Sequence, residues 1–155
     1  MVKLIIFDLD GTLINSLDEI KFIFNYTLSK ENLKEQSRSF YRKNIGNGSR
    51  HLLKKCLENQ SFDDFEYLLN EVKKTYALHL NKFNKVYEGV YQVLNSLVKR
   101  NINLAVVTNK MHDLALLTVR KYFSDYIRHV IGAGYIYPNK PQPNSTLAII
   151  EEFGL

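Results

Sequence analysis

The sequence predicts an α/β fold, a parallel sheet core carrying an inserted block of helices. Three observations support it. Short apolar runs at Leu4–Phe7, Ile102–Val107 and His129–Gly132 have strand length. Helical spacing of apolar residues fills the segments between and after the last two. Residues 15–84 read as helical, with no strand alternation. Strands that alternate with helices build parallel sheets through right-handed crossovers.

The first run, Leu4-Ile5-Ile6-Phe7, is too short for a typical helix and reads as a buried parallel strand. It runs into Asp8-Leu9-Asp10-Gly11-Thr12. The period then changes: Leu17, Ile20, Phe24 and Leu28 share one helical face. Asn15 or Ser16 can cap this helix, and Asp18 and Glu19 sit favourably in its first turn. Further helices are expected at about 36–44, 49–58 and 62–80, and Asp63-Asp64 suits a helix start. The polar stretch 81–88 leads to a helix near Gly89, with Val90, Val93, Leu94, Leu97 and Val98 at helical spacing. The strand Ile102–Val107 follows and ends in Thr108-Asn109-Lys110. A helix is expected at 112–123, a short strand at His129–Gly132, and a helix at 145–153 after a loop marked by Pro138, Pro141 and Pro143. The core domain is then 1–14 with 85–155, and the helical domain 15–84. The connections near Leu13–Ser16 and Asn81–Glu88 are hinge candidates.

With 155 residues, 45% hydrophobic and 24% charged, the chain has the composition of a soluble globular domain. No apolar stretch approaches the length of a membrane span, and the first residues do not form a signal peptide. A single cysteine, Cys56, rules out an internal disulfide and fits a reducing compartment, so a cytoplasmic location is expected. The net charge of +5 suits anionic small molecules. Lysines and arginines are dispersed, without the interleaved aromatics of a single-strand groove, so no nucleic-acid partner is expected.

Chemistry concentrates at three places. Asp8 and Asp10 stand at the carboxyl end of a strand, where open α/β sheets bind ligands. Two acids there suit a nucleophile and a proton-transfer group sharing a site. A structural turn or part of a calcium loop would use the same residues, but the EF-hand pattern needs a further oxygen ligand before its glycine. Thr108 and Asn109, after the second strand, offer a hydroxyl, an amide and backbone N–H groups to phosphate oxygens; strand-end turns also favour these residues. Lys140, beside Pro141 and Pro143, is a positioned cation or part of an exposed turn. In the helical block, Gly46 and Gly48 interrupt the pattern beside Arg50. Arg50 can grip a carboxylate in bidentate fashion, or simply sit exposed at a turn. The four histidines are scattered and read as surface or structural, and Cys56 as a buried, inert thiol. Tyr135 and Tyr137 border Lys140 in sequence only.

The run Asp8-Leu9-Asp10-Gly11-Thr12 resembles the first motif of the haloacid dehalogenase-like hydrolases, and the resemblance extends over essentially the whole chain. It implies a Rossmann-like core with a helical cap inserted after the first strand. It also implies an aspartyl-phosphate on Asp8, Asp10 as general acid and base, Thr108 and Lys140 as phosphate ligands, and Mg2+ held by Asp8 and the backbone carbonyl of Asp10. Thr108-Asn109-Lys110, Gly46-Asn47-Gly48 and Tyr122-Phe123-Ser124 are similar to the phosphoglycolate phosphatase-like branch. Thr12 favours a phosphatase over the β-phosphoglucomutase-like branch. The implied partner is a small phosphorylated metabolite, with 2-phosphoglycolate foremost. Another hydrolase of the family, such as a pyrophosphatase, or a non-catalytic binding module are the alternatives.

The family's fourth motif, a Gly-Asp pair with a further Asp, has no counterpart here; Glu151 and Glu152 lie on a helix and do not match it. The expectation is therefore a truncated chain with weakened metal binding and impaired turnover. Leu4–Phe7 would form an exposed apolar edge that invites self-association.

Overall fold

The computed structural model describes residues 1–155, in the order β1 (Leu4–Phe7), β2 (Ile14–Asn15), α1 (Leu17–Lys30), α2 (Arg38–Asn44), α3 (Ser49–Leu57), α4 (Phe65–His79), β3 (Lys85–Val86), α5 (Val90–Lys99), β4 (Asn103–Met111), α6 (His112–Phe123), β5 (His129–Ala133) and α7 (Asn144–Glu152). The chain divides into two compact units, Met1–Asn15 with Lys85–Leu155, and Ser16–Asn84.

In the first unit β1, β4 and β5 form a parallel sheet in the order β1-β4-β5. The register sets Phe7 beside Val106 and Val107 beside Ile131. Strand alternation divides β4 between two cores. Leu104 and Val106 pack with Leu94 of α5 and Ala115, Val119 and Phe123 of α6. Ala105 and Val107 pack with Ile131 of β5 and Ile149 of α7. The sheet thus carries α5 and α6 on one face and α7 on the other, a three-layer arrangement. Leu9 is fully buried in the first cluster. It anchors the chain between the two acids, so the turn that carries them is tied to the sheet.

β1 is an edge strand of this sheet and only half-buried: the parallel pairing and the exposed edge expected for Leu4–Phe7 are both present, the full burial of a covered strand is not. Two further features depart from the sequence expectations. β4 continues to Met111, so Thr108-Asn109-Lys110 lie within the strand and not in a turn after it. Between Val107 and Met111 the pairing with β5 shifts register. Such bulges re-aim side chains and are common beside active sites. Last, Ile14–Asn15 and Lys85–Val86 pair as a short antiparallel ribbon where the chain leaves and re-enters this unit. Two residues per strand are too few for alternation to reveal it.

The second unit is all helical, with α1 packed against α2 and α4, and α3 against α4. Ile23, Phe24, Leu28, Tyr41, Leu53, Leu68 and Val72 are fully buried in it. Tyr41 donates to Asn25 Oδ1 at 2.6 Å, and burial pushes its phenol pKa up. Burial also pushes the Cys56 thiol up to about 11, which keeps it protonated and unreactive near neutral pH. Asp64 caps α4 by accepting from the Tyr67 N–H at 2.9 Å. Ser16 takes the N-cap position of α1, but its hydroxyl makes no capping bond and is buried. No helix is long and apolar enough to cross a membrane.

Candidate active site

The site is built on the carboxyl ends of β1 and β4. After Phe7 the chain turns sharply: Leu9 O accepts from the N–H groups of Leu13 at 3.0 Å and Ile14 at 3.1 Å, and Gly11 donates to Ile14 O at 2.8 Å. Gly11 sits at φ +82° with open space around its Cα, so backbone conformation and not crowding selects glycine there. This turn leaves Asp8 and Asp10 partly accessible on either side of the buried Leu9.

Asp8 is met by Lys140, whose Nζ lies 3.1 Å from Asp8 Oδ1. The Leu9 N–H donates to the same oxygen at 2.7 Å. Both contacts fall on Oδ1. Lys140 Nζ also donates to Val107 O at 2.9 Å, which ties the ammonium to β4 where its register shift begins.

Thr108, Asn109 and Lys110 are all buried. Thr108 Oγ1 accepts from the Lys110 N–H at 3.2 Å. The Asn109 amide clasps the main chain of Lys140: Nδ2 donates to Lys140 O at 3.1 Å, and the Lys140 N–H donates to Oδ1 at 2.9 Å. Sequence reading assigned Asn109 to phosphate; these bonds give its side chain the task of holding Lys140. Lys110 was not foreseen as a site residue. Its Nζ lies 3.2 Å from Asp10 Oδ1 and 3.4 Å from Oδ2, with the side chain 3% exposed. Its place in Thr108-Asn109-Lys110 is the one signal that could have found it.

The site thus holds two carboxylates, each with its own ammonium, plus a hydroxyl and backbone donors nearby. Such a set can place a nucleophilic carboxylate against an anionic centre while cations neutralise the charge. All the acidic donors are oxygens, which suits a hard cation such as Mg2+ that keeps waters and takes phosphate oxygens. Nowhere in the chain do three or more His, Cys, Asp or Glu gather to form a protein cage for a metal. Asp8 and Asp10 are therefore the acids available to it.

Gly46 and Arg50 belong to the helical unit. Gly46 has φ +117°, and Gly48 precedes α3 at φ +84°. Arg50 reaches Glu66 across two bonds, Nη2 to Oε2 at 2.8 Å among them, and lies over the Phe65 ring. The hydrogen bond from Arg50 holds the Glu66 carboxyl below its usual range. The bidentate grip foreseen for a substrate carboxylate is here made to a carboxylate of the same unit. Of the histidines, His129 pairs with Glu152 at 2.9 Å, and His112 accepts from the Gly132 N–H at 3.2 Å and stacks on Tyr135. Tyr137 packs against the α7-side core.

Residues 5–155 match the family model described as haloacid dehalogenase-like hydrolase. The chain is 30% identical over 155 residues to a phosphoglycolate phosphatase of Aquifex aeolicus, covering 99% of this chain and 71% of that protein. It is 29% identical over 156 residues to a phosphoglycolate phosphatase of Pseudomonas fluorescens, covering 96% of this chain and 57% of that protein. The fold superposes with a TM-score of 0.92 on a crystal structure described as a predicted phosphoglycolate phosphatase from Haemophilus somnus, at 28% identity, over 99% of this chain and 72% of that one. The chain therefore spans between about half and three quarters of the length of these relatives.

Proposed function

Because this chain belongs to the haloacid dehalogenase-like hydrolase family, we propose that it is a phosphatase acting on small phosphomonoesters, with 2-phosphoglycolate as the leading substrate and Mg2+ as the metal. The observation that carries this reading is the pairing of Asp8 with Lys140 at the carboxyl end of β1. A carboxylate and an ammonium 3.1 Å apart support a nucleophile with a phosphate-neutralising cation beside it. The substrate preference leans on the relatives, two of which carry the name phosphoglycolate phosphatase.

In the proposed reaction a carboxylate oxygen of Asp8 forms a bond to phosphorus as the bond from phosphorus to the ester oxygen breaks. The Asp10 carboxyl donates its proton to the departing oxygen. Water then attacks the phosphorus of the aspartyl-phosphate, Asp10 takes its proton, and the Asp8–phosphorus bond breaks to release phosphate. Thr108 and Lys140 hold the phosphoryl oxygens, and Asn109 keeps the Lys140 backbone in place. Asp8 and the backbone carbonyl of Asp10 would hold the metal, which supplies charge neutralisation of the phosphoryl group. The helical unit acts as a cap.

The test is phosphate release from a panel of esters with Mg2+ present. Turnover is expected to be fastest with 2-phosphoglycolate and to stop on chelation of the metal; fastest turnover of pyrophosphate would move the assignment to a pyrophosphatase. Phosphate-ligand binding without turnover is the second reading. Calorimetric binding of 2-phosphoglycolate with no phosphate released would select it.

Lys140 is the more testable of the two phosphate ligands. Lys140→Met is expected to lower kcat by on the order of 10²–10³-fold, the range for one charge-stabilising donor. A kcat within about threefold of the unaltered chain would remove Lys140 from the phosphoryl site.

A further inference from the structure

We propose that Lys110 is a positioning residue that aims the Asp10 carboxyl at the leaving-group oxygen, an inference that rests on the phosphatase reading and deepens it. Asp10 stands on a turn, where a short side chain can exchange among the staggered rotamers about its Cα–Cβ bond unless something holds it. General acid catalysis needs the carboxyl within hydrogen-bond reach of the departing oxygen, so that rotation must be restrained. Lys110 restrains it by reaching both carboxylate oxygens, at 3.2 and 3.4 Å. A cation within reach of both oxygens disfavours rotamers that would carry the carboxylate away from it.

The lysine is itself held from several sides. It leaves β4 at the register shift, so its side chain is turned by the bulge and not by the strand's regular alternation. Its N–H is bonded to Thr108 Oγ1. Its carbonyl backs onto Gly132, where an added Cβ would sit 2.6 Å from that oxygen. With a side chain only 3% exposed, Lys110 has little rotational freedom left to lose when Asp10 acts. The three residues of the bulge thus divide the work. Thr108 offers a hydroxyl to phosphate, Asn109 holds Lys140 behind Asp8, and Lys110 holds Asp10. Each carboxylate of the pair has its own lysine, and the two lysines come from different segments of the chain.

The leaving group separates this role from a structural one. The ratio kcat/KM reports steps up to departure of the alcohol. An alkyl alcohol leaves only with a proton, so that step depends on how Asp10 is aimed. A p-nitrophenolate leaves without one. Lys110→Met, which keeps the length and apolar stem, is expected to lower kcat/KM on the order of 10²-fold for 2-phosphoglycolate but less than about threefold for p-nitrophenyl phosphate. Equal losses for both esters, or none, would overturn the proposal.

The second measurement needs no turnover. Three-bond couplings to the Asp10 carboxyl carbon, read by NMR on isotope-labelled chain, report its χ1 rotamer. One rotamer is expected in the unaltered chain and averaging over several in Lys110→Met. A single unchanged rotamer in the variant would overturn the positioning role. If Lys110→Met fails to fold, Lys110→Gln carries the same two measurements, with the same outcomes expected. Failure of the phosphatase reading shows differently: neither ester is then cleaved by the unaltered chain, while the rotamer result still decides what Lys110 does to Asp10.

Discussion

Asp8→Asn is expected to lower phosphatase turnover by at least about 10³-fold, because an amide cannot attack phosphorus to form the covalent intermediate. The substitution is nearly isosteric. The Leu9 N–H still finds a side-chain carbonyl oxygen, and the side chain is 40% exposed, so the fold is expected to be unchanged. Lys140 loses its charged partner but keeps its bond to Val107 O. Radiolabelled substrate gives a readout independent of turnover. Quenching in acid should leave hydroxylamine-labile phosphoryl label on the unaltered chain and none on the variant. Label on the variant, or retained phosphate release, would move the nucleophile elsewhere.

Gly132→Ala is expected to destabilise the first unit by about 1–3 kcal/mol, the usual cost of overpacking a well-filled interior. The new Cβ would lie 2.6 Å from the Cα of His112, 2.6 Å from the carbonyl oxygen of Lys110 and 2.9 Å from the His112 nitrogen. All three are backbone atoms, so no flexible side chain can swing aside. For a chain of this size each kcal/mol lowers Tm by about 2–4 °C. The clash also pushes on Lys110, so esters with alkyl leaving groups should be cleaved more slowly than the loss of stability alone explains. An unshifted thermal transition would mean that β5 can move away from the start of α6 without cost, and that Gly132 does not hold Lys110 in place.

Much of this architecture was written in local pattern. The helices from α1 to α7 follow apolar residues at helical spacing, and each expected segment holds a helix within a few residues of its bounds. β1, β4 and β5 follow short apolar runs. The acids were legible for the same reason: they follow a strand directly, and in a parallel sheet the carboxyl end of a strand is where ligands are met. The β2–β3 ribbon was not legible, since two residues carry no period. Nor was the length of β4. Thr108-Asn109-Lys110 has the composition of a turn, and it stays in the strand because the flanking Val107 and Met111 pair with Ile131 and Ala133 of β5 on either side of the bulge. The Arg50–Glu66 pair joins residues 16 positions apart, from α3 and the first turn of α4, and only the packing of those helices brings the two together.

The sequence by itself determined the fold class and the place of the acid pair at a strand end, because both rest on neighbours a few positions apart, where chain geometry alone sets which side chains share a face. Only the tertiary structure decided what each residue near those acids touches. Lys110 and Asp10 are 100 positions apart, and Asn109 and Lys140 are 31 apart. No periodicity links such pairs; they meet because β1 and β4 lie side by side in the sheet and the chain after β5 returns to the end of β4. Thus the Asn109 side chain is bonded to the main chain of Lys140, and the Lys110 ammonium is paired with Asp10.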